Sequence, residues 1–159
     1  MSDSLYWNDV LVALRQIIRA TDLQSKRMIK VCGLTIPQVM VLKAIENLGD
    51  VTVKKVSQDV SLSQATVTTI LNRLEERGLI ERVRSALDKR IVNARLTEEG
   101  RRVLGTTPPL LHEKFIERFE SLEEWEKTQL LSTLQRVASM MDAEGLDVAP
   151  VLDVAAISS

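Results

Sequence analysis

Aromatic residues are nearly missing from this 159-residue chain: two Phe, two Trp and one Tyr make up 3% of it. A hydrophobic fraction of 45% is ample for the core of one domain, but that core must be built from Leu, Val, Ile and Met. One cysteine, Cys32, and one histidine, His112, are too few for a structural zinc site, which takes four such ligands. No Ser or Cys arrangement for nucleophilic catalysis lies near His112. Glu123, Glu124 and Glu126 stand at a helix start, where the dipole favours carboxylates without any catalytic role. Neither an enzyme nor a cofactor is therefore expected. There is no apolar run long enough to span a bilayer and no evident cleavable signal segment, so the cytoplasm is the expected compartment, without a membrane partner. Internal repeats and low-complexity segments are also missing.

The net charge is only -1, but it is unevenly laid out. Residues 52–102 carry eleven Lys or Arg against seven Asp or Glu, while the rest of the chain carries ten against fifteen, with most of the acidic excess from Glu113 onward. One region alone is thus suited to meet phosphate. Within it, Ser63 to Gly78 places Val67, Ile70, Leu71 and Leu74 on one stripe at helical spacing. The opposite face presents Gln64, Ala65, Thr68, Thr69, Asn72 and Arg73, with no acidic residue before Glu75. Such a face can lie in a major groove. Ser63 suits an N-cap and Gly78 a left-handed C-cap.

Leu79 to Arg84 and Ile91 to Leu96 alternate apolar and charged residues on either side of Ser85-Ala86-Leu87-Asp88-Lys89-Arg90, which predicts a β-hairpin. Lys89 and Arg90 stand at its tip, with Arg82, Arg84 and Arg95 nearby, so the hairpin offers cations to a phosphate backbone or a narrow minor groove. A recognition-type helix followed at once by a basic hairpin is the pattern of a winged helix-turn-helix, with double-stranded DNA as partner. Gln64, Ala65, Thr66, Thr68 and Thr69 are expected to meet the groove: Gln64 can read adenine and threonine can meet a thymine methyl. Ser63, Arg73, Lys54 and Lys55 are expected to position the helix on phosphates, and Arg84, Asp88, Lys89 and Arg90 belong to the wing.

These residues resemble those of MarR-type transcriptional regulators. The family's Asp-x-Arg, followed by Leu-Thr entering the next helix, is matched by Asp88-Lys89-Arg90 and by Leu96-Thr97-Glu98-Glu99-Gly100. Leu34-Thr35-x-x-Gln38 followed by Val41-Leu42 resembles the family's second helix, and Val53 to Val60 its third. The resemblance spans roughly residues 8 to 142. It implies a mainly α fold with a small β-wing, in which N- and C-terminal dimerisation helices flank the winged helix-turn-helix. It also implies that Arg90 enters the minor groove while Asp88 orients the wing through a salt bridge. By the same likeness the protein would be a homodimeric repressor at the nucleoid, modulated by a small-molecule effector.

Periodicity gives six helices. The first covers residues 4 to 30. The second is capped by Thr35 and runs to about Leu48; the third begins at Val51-Thr52-Val53, with Val56 and Val60 inward and Lys54 and Lys55 outward. The fourth is the recognition helix. The fifth starts at Thr97 and is bent or broken at Pro108-Pro109, with helical pattern resuming over 110–119. Ser121-Leu122-Glu123-Glu124 resembles a capping box opening the last helix, through Met141. Residues 1–159 are read as a single domain, with 4–31 and 105–142 as dimerisation helices, 34–104 as the winged part and 146–159 as a tail. Leu5, Leu11, Leu110, Leu111, Phe115, Phe119, Leu130, Leu131, Leu134 and Val137 are candidates for an intersubunit core. A two-fold dimer would set two recognition helices about 34 to 36 Å apart, matching a pseudopalindromic operator.

The segment Leu14 to Lys26 resembles a subgroup in which some members control compatible-solute (ectoine, glycine betaine) genes. On that likeness a quaternary ammonium effector would be received by the aromatic faces of Tyr6, Trp7 and Trp125. Their alternative role is packing. Cys32, read as following the end of the first helix with Lys26, Arg27 and Lys30 nearby, raises the alternative of a redox-sensing regulator. An architectural protein that coats DNA without an effector would share the same wing and dimer, and would differ by showing little preference for an operator.

Overall fold

A computed structural model describes residues 6–145; Leu5 and the 146–159 tail lie outside the described residues. Two compact units divide between Pro108 and Pro109. In chain order the first holds α1 (Tyr6–Cys32), α2 (Ile36–Leu48), β1 (Val51–Thr52), α3 (Val53–Val60), α4 (Gln64–Glu76), β2 (Ile80–Arg84), β3 (Val92–Leu96) and α5 (Glu98–Gly105). The second holds α6 (Leu111–Glu120) and α7 (Glu124–Met140). The fold is mainly helical with one small antiparallel sheet, in the order β1-β3-β2.

Local chemistry sets the helix ends. Thr35 Oγ1 accepts the Gln38 amide while Gln38 Oε1 accepts the Thr35 amide, a reciprocal cap with Pro37 in the first turn. Gly49 closes α2 with φ +75°. Ser63 caps α4, and at the far end Gly78, at φ +70°, donates to Glu75 O while Leu79 donates to Leu74 O. That pair of bonds returns the last carbonyls of the helix to partners. With these ends fixed, the apolar stripe Val67, Ile70, Leu71 and Leu74 is buried, against a core that includes Val39, Val41, Leu42 and Val56. Each such side chain contributes roughly 1.5–3 kcal/mol as an upper bound.

The wing base is tied to both neighbouring helices at Thr97. Its amide donates to Leu79 O, its hydroxyl donates to Gly78 O at 2.6 Å, and the same oxygen accepts the Gly100 amide at 3.0 Å. Gly100 must be glycine here because a Cβ would sit 2.0 Å from Leu79 O. A second long-range tie joins α4 to α1: Arg77, the C-cap of α4, donates from a guanidinium nitrogen to Gly33 O at 2.7 Å.

Several expectations need correction. The third helix opens at Val53, with Thr52 capping it through its hydroxyl, but Val51 and Thr52 themselves form β1, pairing with Ala94 and Asn93 of β3. The first helix runs on through Cys32, ending where Gly33 turns to φ +68°. Pro108-Pro109 breaks the helix rather than bending it, so seven helices stand among the described residues instead of six. Ser121 caps the C-terminus of α6, its hydroxyl donating to Arg118 O, and the last helix starts later. There Glu126 accepts the Glu123 amide.

In the second unit Glu113 accepts the Leu110 amide at the start of α6, and the Phe115 and Phe119 rings pack at 5.4 Å between centroids. Lys127 lies near Glu120 and Glu124, and the hydrogen bond it donates to Glu120 raises its pKa. Neither α6 nor α7 has a buried residue. Leu110, expected in an intersubunit core, is only 1% exposed within the single chain and has no surface to offer a partner. The other candidates within the described residues, from Leu11 to Val137, keep exposed or half-exposed surface. No single helix among those described is long and apolar enough to cross a membrane.

Candidate nucleic-acid interface

Helix α4 turns its buried stripe inward, which leaves Gln64, Ala65, Thr68, Thr69, Asn72 and Arg73 exposed together on the other side. Thr66 is half-buried at the edge, and its hydroxyl lies 2.8 Å from Ser63 Oγ. Thr68 and Thr69 donate their hydroxyls to the carbonyls of Gln64 and Ala65, at 2.8 and 3.1 Å. Their donors are thereby committed to the helix, and what they present outward is a methyl group and acceptor lone pairs.

The basic residues fall into two sets. Arg82 donates to Asn72 Oδ1 at 2.6 Å and lies 3.8 Å from Glu75, so it pins the wing to α4. Arg95 holds Asp50 with two parallel bonds and lies 3.9 Å from Glu81. This pairing lowers the Asp50 pKa and raises that of Arg95, the hydrogen bond between them being the main cause. Lys54, Lys55, Arg73, Arg84, Lys89 and Arg90 are exposed and form no ion pair with any described residue. The structure therefore removes Arg82 and Arg95 from the cations available to a partner and leaves the others. Asp50, Asn72 and Arg77 organise this surface without having been singled out for that in the sequence, because each acts through a partner far from its own segment.

The wing tip is ordered by its own side chains. Ser85 Oγ accepts the amides of Leu87 and Asp88, at 3.2 and 3.4 Å, and Asp88 Oδ1 accepts the Arg90 amide at 2.9 Å. Asp88 thus shapes the tip through the backbone and not, as expected from the family likeness, through a salt bridge; it has no ion pair among the described residues. Between α4 and the wing lies a cleft of about 310 Å³, bordered by Val53, Thr68, Leu71, Asn72, Arg82, Val92, Asn93 and Ala94.

The residues considered for an effector are separated along the chain. Tyr6 and Trp7 open α1 and Trp125 stands in the first turn of α7, with exposures of 74%, 60% and 68%. Cys32 is half-buried in the last turn of α1, its thiol donating to Met28 O at 3.1 Å. No group of His, Cys, Asp or Glu among the described residues is placed to hold a metal ion.

Residues 34–92 match the MarR family model. The HTH-type transcriptional regulator SarZ of Staphylococcus haemolyticus is 33% identical over 106 residues, 67% of this chain and 71% of SarZ. The HTH-type transcriptional regulator YsmB of Bacillus subtilis, itself uncharacterized, is 28% identical over 118 residues, 74% of this chain and 81% of YsmB. Among solved structures, the transcriptional regulator PcaV of Streptomyces coelicolor in complex with its natural ligand aligns with a TM-score of 0.57 at 28% identity, covering 80% of this chain and 89% of PcaV.

Proposed function

We propose, from the premise that this chain belongs to the MarR family of DNA-binding transcriptional regulators, that it is a homodimeric repressor of a pseudopalindromic operator. Its compartment is the cytoplasm, where a regulator meets the nucleoid. The observation that carries the reading is the sorting of cations: Lys54, Lys55, Arg73, Arg84, Lys89 and Arg90 are left without carboxylate partners around an α4 face that has no acid before Glu75. In this reading Gln64, Ala65, Thr66, Thr68 and Thr69 meet base edges, with Ser63, Arg73, Lys54 and Lys55 on phosphates. Arg84, Lys89 and Arg90 follow the backbone and minor groove on a tip shaped by Asp88. The winged part, residues 34–104, reads DNA, and the helices within 4–31 and 105–142 join the two copies.

A small-molecule effector would act by preferring one spacing of the two recognition helices over another. A compatible solute such as ectoine or glycine betaine is the candidate drawn from the likeness of residues 14–26, with Tyr6, Trp7 and Trp125 supplying aromatic faces. Calorimetry of the purified protein that detects no betaine binding removes this assignment.

The decisive experiment compares binding to the DNA upstream of the protein's own gene with binding to a scrambled duplex of equal length, at physiological salt and with candidate solutes in parallel. A regulator prefers its operator by about a thousandfold or more. Equal affinity for both duplexes sinks operator recognition on this DNA and favours a coating role; loss of binding with one solute identifies the effector.

A further inference from the structure

Leu87 is the most exposed large apolar side chain among the described residues, at 100%. The other large apolar side chains that stand well out of the surface lie on α1, α6 and α7 or at the end of α7, apart from Leu48 and the wing's own Ile91 and Val92. In the proposed homodimer the helical ones would be covered by a second copy. Leu87 instead stands at the tip of the hairpin and is fully exposed, so packing within the chain does not explain its presence there.

Two further observations say what it meets. The tip is preorganised: besides the bonds of Ser85 Oγ and Asp88 Oδ1, the Ser85 amide donates to Ile91 O and the Ile91 amide donates to Asp88 O. A backbone held this way loses little further freedom on binding. Beyond Asp88, whose carboxylate is turned to the Arg90 amide, Leu87 is followed by Lys89 and Arg90, whose charges have no partner among the described residues. The complementary surface is a polyanion with a narrow slot that accepts an apolar wedge, which describes the minor groove of duplex DNA.

We propose that Leu87 is an apolar wedge, driven into the minor groove beside Arg90 while Lys89 holds the flanking backbone. It partly unstacks one base step there, a flexible pyrimidine–purine step being the least costly, and bends the duplex. The inference rests on the DNA-binding reading but assigns the wing a deforming role beyond charge neutralisation.

The test uses the full chain and a duplex recovered from a random pool by selection on the wild-type protein. The duplex is end-labelled for energy transfer and carries 2-aminopurine at the steps facing the wing. Leu87→Ala is expected to fold with an unchanged Tm and to bind about tenfold more weakly, with a smaller bend and without the 2-aminopurine rise. The slope of affinity against salt should stay unchanged, because no charge is removed. Leu87→Met should retain the bend, and Arg90→Ala should instead lower the salt slope by about one. Wild-type affinity, bend and fluorescence in Leu87→Ala overturn the wedge, as does a loss of dimer in sedimentation, which would make Leu87 a protein contact. Failure of the wild-type protein to enrich any duplex overturns the wedge together with the DNA-binding reading, whereas intact binding indifferent to Leu87 overturns the wedge alone.

Discussion

Helices α2 and α7 are of similar length, 13 and 17 residues, yet eight side chains of α2 are buried and none of α7. Helix α1 repeats the pattern of α7 on a larger scale, burying only Ser25 and Met28 of its 27 residues. The winged region covers its apolar surface with its own chain. The long helices carry Ile17, Ile18, Leu130, Leu131 and Leu134 well exposed, apolar surface that fits the homodimer proposed above. One sequence thus contains a winged region that buries its own apolar stripe and long helices that do not, and in the homodimer proposed above a second copy covers the latter.

Substitutions can break this contrast. Leu71→Ala empties a fully buried position under α4 and should cost about 2–5 kcal/mol. The loss should be the same at every protein concentration in denaturant unfolding; a loss that depended on concentration would mean the winged region needs the dimer. Gly100→Ala drives a methyl into Leu79 O and should cost about 1–3 kcal/mol, measured as a lower Tm with the dimer intact. Leu134→Ala on α7 should leave the unfolding of the winged region almost unchanged and weaken dimerisation by roughly 1.5–3 kcal/mol, visible in sedimentation. Unchanged dimerisation would take α7 out of the interface.

Two smaller effects sharpen the comparison within the winged region. Arg90→Ala should weaken operator binding by about 1–3 kcal/mol at constant Tm, whereas Arg95→Ala should lower Tm slightly and leave the salt dependence of binding as it is. The Asp50 carboxyl is held below its ordinary pKa of 3.8 by Arg95. Its contribution to stability is therefore present above that value and lost as pH falls through the lower, folded value. Asp50→Asn should flatten the acid end of the Tm profile, and an unchanged profile would show that the pair adds nothing measurable.

What was legible in the sequence was what depends on neighbours along the chain. Thr35 with Gln38, Ser63 with Thr66, Gly78 with Glu75, and the stripe from Val67 to Leu74 all act within a few residues. The core of the winged fold and the exposed face of α4 follow from them. What escaped depends on distance. Thr52 reads as a helix start because it caps α3, and nothing local reveals that Val51 and Thr52 also pair with Ala94 and Asn93. Arg82 and Arg95 look like any basic wing residue until Asn72 and Asp50 are found beside them. Leu110 matches its apolar neighbours in composition, and only its burial separates it from an interface residue.

The bond from Arg77 to Gly33 O joins the foot of α4 to the end of the longest rod in the molecule. At 1.5 Å per residue α1 is about 40 Å long, so a swing of about 5° pivoting at Tyr6 moves the Gly33 end by about 3.5 Å, close to the rise of one base pair. Through that joint any such swing would be handed to the foot of α4, and Met28, fully buried near the same end of α1, is the side chain that would have to move with it.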